Sequence, residues 1–476
     1  MATTLTPDLC VIGAGASGLA VANAARRLGA SVLMVERGSF GGSSLRAGAL
    51  ALRALQVAAE KAVAARAGAP FGLTGEDPKV NFRRLHDHIG EIVANAVPEA
   101  SPAALEARGI ELVRGIGTFA DHQTLKAADA VITARRFVIA TGAQPRLPDI
   151  PGLFSVPYFT TETIFDNTRK LTHLVVLGAG PMGLEIAWSY RRLGCDVTVV
   201  EPAKMLAESD PELAGIALRQ LADEGVQLLE GAVIVAIQAR SQGIGIVVRA
   251  GDSNINLDAS HILVAPLRAP ALAELGLDAA RIKLDRDGTH LRLSGALRTT
   301  NARVYAVGEA MRAGTAHDVA LEADLVVRAA LMRQPVRFDA SRVPRLALTT
   351  PEIAEIGLTE PMARARFKAA FEIVRATYAG NDRARAAREG SGVVKLIVGR
   401  TGELLGAGIV GPAAGELAAL LSLALSRGLK LADLAAFAPP YPSYAGILRE
   451  LGQRRADGTA PSALEQRLLS LNRLLP

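Results

Sequence analysis

The chain has 476 residues, 50% hydrophobic and 21% charged, which is enough apolar sequence for large cores and excludes global disorder. A formal charge of +6 arises from 53 Lys and Arg against 47 Asp and Glu, scattered along the chain, and aromatic residues make up only 4%. Neither a basic tract nor a set of stacking platforms is present, so nucleic acid is excluded and anionic small ligands such as phosphates are expected.

At the N-terminus, the first eight residues lack the basic and apolar regions of a secretory leader. No run reaches the ~18 apolar residues of a membrane span, and a cytoplasmic protein without an integral membrane segment is expected. Residues 8–12 form a short apolar strand, followed by Gly13-Ala14-Gly15-Ala16-Ser17-Gly18, an Ala-rich helix, a strand over 31–35 and Glu36. Residues 137–142 read as a strand ending in a glycine turn, and a Pro-rich stretch runs over 145–151. The first pattern then returns: a strand over 174–177, Gly178-Ala179-Gly180-Pro181-Met182-Gly183, a helix through Arg192, a strand over 196–200 and Glu201. Gly13 to Gly178 and Glu36 to Glu201 are the same offset of 165 residues. Another strand ends at Gly308-Glu309, and from about residue 343 strands over 345–348, 393–398 and 404–410 alternate with helices as a separate α+β domain.

A lone glycine triplet says little, but here each copy follows a strand, opens a helix and is followed by an acid about 20 residues on. The first glycine serves a tight turn, the second lets a backbone approach a pyrophosphate, and the third allows close helix–strand packing. The helix N-terminus adds free N–H groups and partial positive charge. Glu36 and Glu201 suit ribose hydroxyls, and a carboxylate at 201 repels a 2′-phosphate, favouring NADH over NADPH. Two dinucleotide sites are therefore expected.

These residues, in this order, resemble the flavoprotein pyridine nucleotide–disulfide oxidoreductases: dihydrolipoamide dehydrogenase, glutathione reductase and mercuric reductase. The resemblance implies an α/β fold with two Rossmann-like dinucleotide-binding domains and a C-terminal α+β dimerisation domain. It divides the chain at 1–152 (FAD, first part), 153–272 (NAD(P)H), 273–338 (FAD, second part) and 339–476 (dimerisation, with an extra C-terminal helix). By the same resemblance Gly13, Gly15, Gly18, Glu36, Gly41, Gly42, Ser43, Thr141, Gly142, Gly308 and Glu309 hold FAD. Gly178, Gly180, Gly183 and Glu201 hold the nicotinamide dinucleotide. Glu309 stands where the family usually has Asp and contacts the ribityl chain. The match continues through Ala316-His317 with Glu322, Thr350-Pro351-Glu352 and the stretch from Lys395 to Glu416, and implies a homodimer.

The family's redox segment reads GGTC-x4-C, and here it is Gly41-Gly42-Ser43-Ser44-Leu45-Arg46-Ala47-Gly48-Ala49. Ser44 and Ala49 occupy the two cysteine positions, and neither forms a thiolate. Cys10 and Cys195, the two cysteines of the chain, read as buried structural residues. The family's His and Glu acid–base pair corresponds to Tyr441 and Gly446. The resemblance, less this machinery, implies an FAD-dependent NADH oxidoreductase passing electrons directly to a small non-disulfide acceptor, a quinone in the first instance. A non-catalytic FAD- and NADH-binding sensor and a soluble transhydrogenase are the rivals.

Individual positions carry two readings. Arg53 and Glu185 align with the family's Lys–Glu pair beside flavin and nicotinamide, or are an ordinary surface Arg and a solvated Glu. Tyr441 donates a proton to a reduced acceptor, or replaces one ring by another at a dimer seam. Ser44 bonds the flavin or a quinone oxygen, or caps the helix that follows. His86 and His88 are two apart on a helix and do not share a face, so no metal is expected there. His317 is read as a structural hydrogen-bonding group. Ser462 and Glu465 form a capping box ahead of leucines 464, 468, 471 and 475, a stripe read as packing in the dimer.

Overall fold

Uninterrupted apolar runs rich in β-branched residues form parallel strands covered on both faces, as such composition requires. The computed structural model describes residues 3–74, 77–312, 318–457 and 463–473. They divide into two units, one of Met1–Ala207 with Leu221–Ala340 and one of Glu208–Gln220 with Ser341–Pro476.

In the first unit, one five-stranded sheet has the order Val304–Ala306, Arg136–Ile139, Leu9–Ile12, Val32–Glu36, Ile110–Arg114, and every pairing is parallel. Leu9, Cys10 and Val11 are completely buried at its centre. A second parallel sheet has the order Phe159–Thr160, His261–Val264, His173–Leu177, Asp196–Glu201, Gln227–Glu230. A two-stranded antiparallel ribbon joins Ala143–Pro145 to Arg268–Pro270, where the chain passes between the sheets. The two parallel sheets and their helices are the pair of Rossmann-like layers expected from the repeated motif. The strand expected over 137–142 spans Arg136–Ile139, because Ala140–Gly142 turns away with Gly142 at φ +66°.

In the second unit, five antiparallel strands have the order Arg345–Ala347, Glu352–Gly357, Leu404–Gly411, Val393–Gly399, Phe371–Thr377. Helix Ala414–Ser426 buries Ala414, Leu417, Ala418 and Leu421 in their core. Lys395, on a central strand, is 1% exposed. Its Nζ lies 2.7 Å from Asp210 Oδ2, 3.0 Å from Glu212 Oε2 and 3.1 Å from Glu360 Oε2. Burial acts to lower the Lys395 pKa, but the surrounding carboxylates outweigh it and the net shift is upward.

Helix Ala49–Arg66 starts from Gly48 with no side-chain cap, so Ser44 does not cap it. Ser44 sits one element earlier, in the short helix Gly42–Arg46. Helix Ala463–Asn472 leaves Leu464, Leu468 and Leu471 more than half exposed. Ser462, Leu475, Ala316, His317 and the Glu465 side chain lie outside the described residues. No described helix is long and apolar enough to cross a membrane.

Replacing Lys395 by Met leaves three carboxylates facing one another without their cation. The expected loss of stability is about 3–5 kcal/mol, as for breaking a buried ion pair from one side, measured by chemical denaturation of the second unit's transition.

Candidate functional site

The two glycine turns superimpose in their local chemistry. Gly13 has φ +106° and Gly178 φ +104°, a region that L side chains rarely adopt. A Cβ on Gly13 would lie 2.4 Å from the Ala140 carbonyl oxygen, and one on Gly178 would lie 2.3 Å from that of Ala265. The third glycines pack as closely: a Cβ on Gly18 would meet Gly13 O at 2.0 Å, and one on Gly183 would meet Gly178 O at 2.3 Å. The middle glycines differ. Around a Gly180 Cβ nothing lies within 4 Å, and a Gly15 Cβ meets only Gly42 Cα, at 4.0 Å. First and third glycines are thus demanded by the fold itself, whereas the second faces open space.

Gly15 and Gly180 are also the N-caps of helices Ala16–Arg27 and Pro181–Arg192, and neither helix has a side-chain cap. The helix ends therefore offer unsatisfied N–H groups and partial positive charge to whatever enters that space. The acids repeat the match. Glu36 accepts from Ala14 N at 2.6 Å and Gly38 N at 2.6 Å, and Glu201 accepts from Ala179 N at 2.8 Å and Ala203 N at 3.0 Å. Each carboxylate is fixed at the lip of its turn by two backbone donors. An extended diphosphate with a ribose at one end fits both cradles.

The first cradle has an additional wall. Gly41 N donates to Ala14 O at 2.9 Å, and a Cβ on Gly42 would lie 2.8 Å from Gly15 Cα, so this second glycine pair presses on the first turn. Gly308 also presses on this cradle: its Cβ would lie 2.3 Å from Ser17 Oγ, and its N–H donates to Glu322 at 2.7 Å. Thr141 Oγ1 is buried without a partner, a polar atom left for a ligand. Ser43 is exposed.

The remaining positions fall as follows. Arg53 forms an ion pair with Glu60 on its own helix at 3.1 Å, both side chains being more than a third exposed. Glu185 is 5% exposed on helix Pro181–Arg192, which packs against the helix carrying Arg53. Tyr441 is 84% exposed, and its hydroxyl donates to Asp382 Oδ2 at 3.0 Å, a bond that raises its pKa. Glu309 pairs with Arg268 at 3.2 Å, and Arg268 pairs with Glu162 at 3.1 Å. Arg268 carried no sequence signal, because Glu162 is 106 residues away and no spacing rule spans that distance. Cys10 and Cys195 are free and buried. Burial drives the Cys10 thiol far above its usual range and pushes that of Cys195 up to about 11.

Comparison with known proteins places this geometry. Residues 7–326 match the family described as pyridine nucleotide-disulphide oxidoreductase, and residues 343–451 match that family's dimerisation domain. The chain belongs to this family, whose members are flavin oxidoreductases that use FAD and pyridine nucleotides. It is 31% identical to a mercuric reductase of Streptomyces lividans, over 94% of this chain and 95% of that protein. It is also 31% identical to a dihydrolipoyl dehydrogenase of Thermus scotoductus, over 94% and 97%. The fold is shared with the HOCl-induced flavoprotein disulfide reductase RclA from Escherichia coli, with TM-score 0.80, 24% identity and 94% and 99% coverage.

The unequal glycines give a direct test. Gly180→Ala should keep the thermal midpoint within about 2 °C, since a lone methyl in open space changes little. It should weaken binding of a pyridine nucleotide about tenfold, or about 1.4 kcal/mol, read by calorimetric titration. Gly178→Ala should instead destabilise the fold by about 1–3 kcal/mol through backbone strain alone.

Proposed function

We propose that this protein is an FAD-dependent NADH oxidoreductase that passes electrons from reduced flavin directly to a small non-disulfide acceptor, a quinone in the diaphorase manner. The observation that carries the reading is the chemistry at two positions. Ser44 and Ala49 stand where the family has its cysteines, and both cysteines of the chain are buried with their thiols held protonated. A thiol held protonated is neither a nucleophile nor an electron relay at neutral pH.

In this reading the doubly walled first cradle, with Gly13, Gly15, Gly18, Glu36, Gly41, Gly42, Ser43, Thr141, Gly142, Gly308 and Glu309, holds FAD. The second, with Gly178, Gly180, Gly183 and Glu201, holds NADH. The corresponding domains are 1–152 and 273–338 for FAD, 153–272 for NADH and 339–476 for dimerisation. Bound FAD supplies the two-electron chemistry. The helix termini neutralise the diphosphates, and Glu36 and Glu201 accept from ribose hydroxyls. Glu201 disfavours a 2′-phosphate, and Arg191, a nearby cation, is already engaged by Asp196 at 2.9 Å. Arg53 and Glu185 are assigned to the face where nicotinamide meets flavin, and Tyr441 to proton supply for the acceptor. A homodimer in the cytoplasm completes the reading.

The experiment is an anaerobic NADH titration of the FAD-loaded protein, followed in the flavin spectrum, with lipoamide and then a benzoquinone added. Bleaching by one NADH without a thiolate charge-transfer band, and reoxidation by the quinone only, supports the proposal. Reoxidation by lipoamide at a comparable rate overturns it. Flavin that stays oxidised under NADH moves the protein to the sensor reading. In the same assay Glu201→Ala should raise the NADPH rate relative to NADH by about tenfold, the contribution of about one charged hydrogen bond or repulsion.

A further inference from the structure

We propose that Arg268 is a positioning residue for flavin retention, acting through Glu309 and tying the two nucleotide-binding lobes together at that point. The inference rests on the FAD reading above and extends it to a residue that the dinucleotide motifs do not include.

Arg268 lies on the antiparallel ribbon formed where the chain returns from the second parallel sheet, opposite Pro145. Its side chain is 19% exposed, and its guanidinium donates hydrogen bonds to two groups and forms an ion pair with a third. One Nη lies 3.1 Å from Glu162 Oε1, just beyond the edge strand of the second sheet. The other donates to the Ala143 carbonyl at 2.7 Å, on the paired strand of the same ribbon, which leads out of the first sheet. Nε lies 3.2 Å from Glu309 Oε1, as an ion pair off the line of a hydrogen bond. A planar guanidinium makes such a fork in fixed directions, which an ammonium cannot.

Glu309 is at the lip of the first cradle. Its neighbour Gly308 is in such close approach to Ser17, on the first turn of the cradle helix, that a Cβ there would lie 2.3 Å from Ser17 Oγ. Arg268 engages one carboxylate oxygen of Glu309, and in this proposal the other is the acceptor for a ligand hydroxyl. An aspartate at 309 would be shorter by one methylene, roughly 1.5 Å of reach, and would let go of Arg268. The longer acid and the arginine therefore act as one device. Without the guanidinium, Glu162 and Glu309 face each other uncompensated and the Glu309 carboxylate is no longer aimed.

The test uses the FAD-loaded full chain and follows FAD release by the rise in flavin fluorescence on dilution. Arg268→Met and Glu309→Asp should each speed release about tenfold, the order expected for misplacing one charged, partly exposed acceptor. The double variant should be no faster than either single one, and Arg268→Lys should fall between Arg268→Met and the unaltered protein. Release from Arg268→Met within twofold of the unaltered protein overturns the proposal, as does multiplication of the two single effects in the double variant. If Arg268→Met does not fold, Arg268→Gln, which also removes the charge, takes its place in the same cycle, with the same two outcomes deciding. An unaltered protein that takes up no FAD overturns the FAD reading itself, and that is visible in its spectrum before any variant is made.

Discussion

The closeness of Gly13 to the Ala140 carbonyl, and of Gly178 to that of Ala265, is the constraint on which the nucleotide-binding half of the molecule depends. In each case the strand must end on a residue without a side chain, or the neighbouring parallel strand cannot stay in register beside it. That single steric condition sets where the following helix begins and which way its positive end points. It also fixes the distance to the next strand, whose last residue is the carboxylate that returns to the turn. A helix end suited to phosphate is thus a by-product of a packing requirement of the sheet.

Much of this was legible in the sequence because the same requirement appears twice at one spacing. The strands ending at Ile12 and Leu177, the helices opening at Ala16 and Pro181, and Glu36 and Glu201 all lie where glycine spacing and apolar runs put them. What was not legible depends on partners distant along the chain. Arg268 sits in an unremarkable apolar stretch, and only the folded ribbon brings Glu162 and Glu309 to it. Of the two readings for Ser44, the cap of helix Ala49–Arg66 fails because Ser44 lies within a separate short helix, Gly42–Arg46, and the turn at Gly48 closes over the Ser44 carbonyl. Sequence patterns report local periodicity well, but cannot report which turn intervenes between two helical stretches.

The site also separates two properties that family membership usually joins. The two glycine turns keep the tight first and third glycines, the bonded acid and the uncapped helix terminus that a nucleotide cradle calls for. In the proposed reading the sulfur positions are filled by the Ser44 hydroxyl and the Ala49 methyl, and the acid–base position by Tyr441, an exposed tyrosine bonded to Asp382. Binding geometry is built from backbone and is expensive to alter, since each change disturbs the sheet. Reactive side chains stand on that frame with few structural duties, so they can be replaced without loss of fold.

Lys395 has a consequence of another kind. Two of its three carboxylate partners, Asp210 and Glu212, come from a short stretch that the chain order puts in the midst of the second nucleotide-binding lobe. The C-terminal unit is therefore not a contiguous cassette. A gene fragment encoding only residues 341–476 would carry a buried cation with most of its counter-charge left behind. Exchange of this unit between relatives by recombination has to bring the distant stretch along or find a matching one already in the recipient.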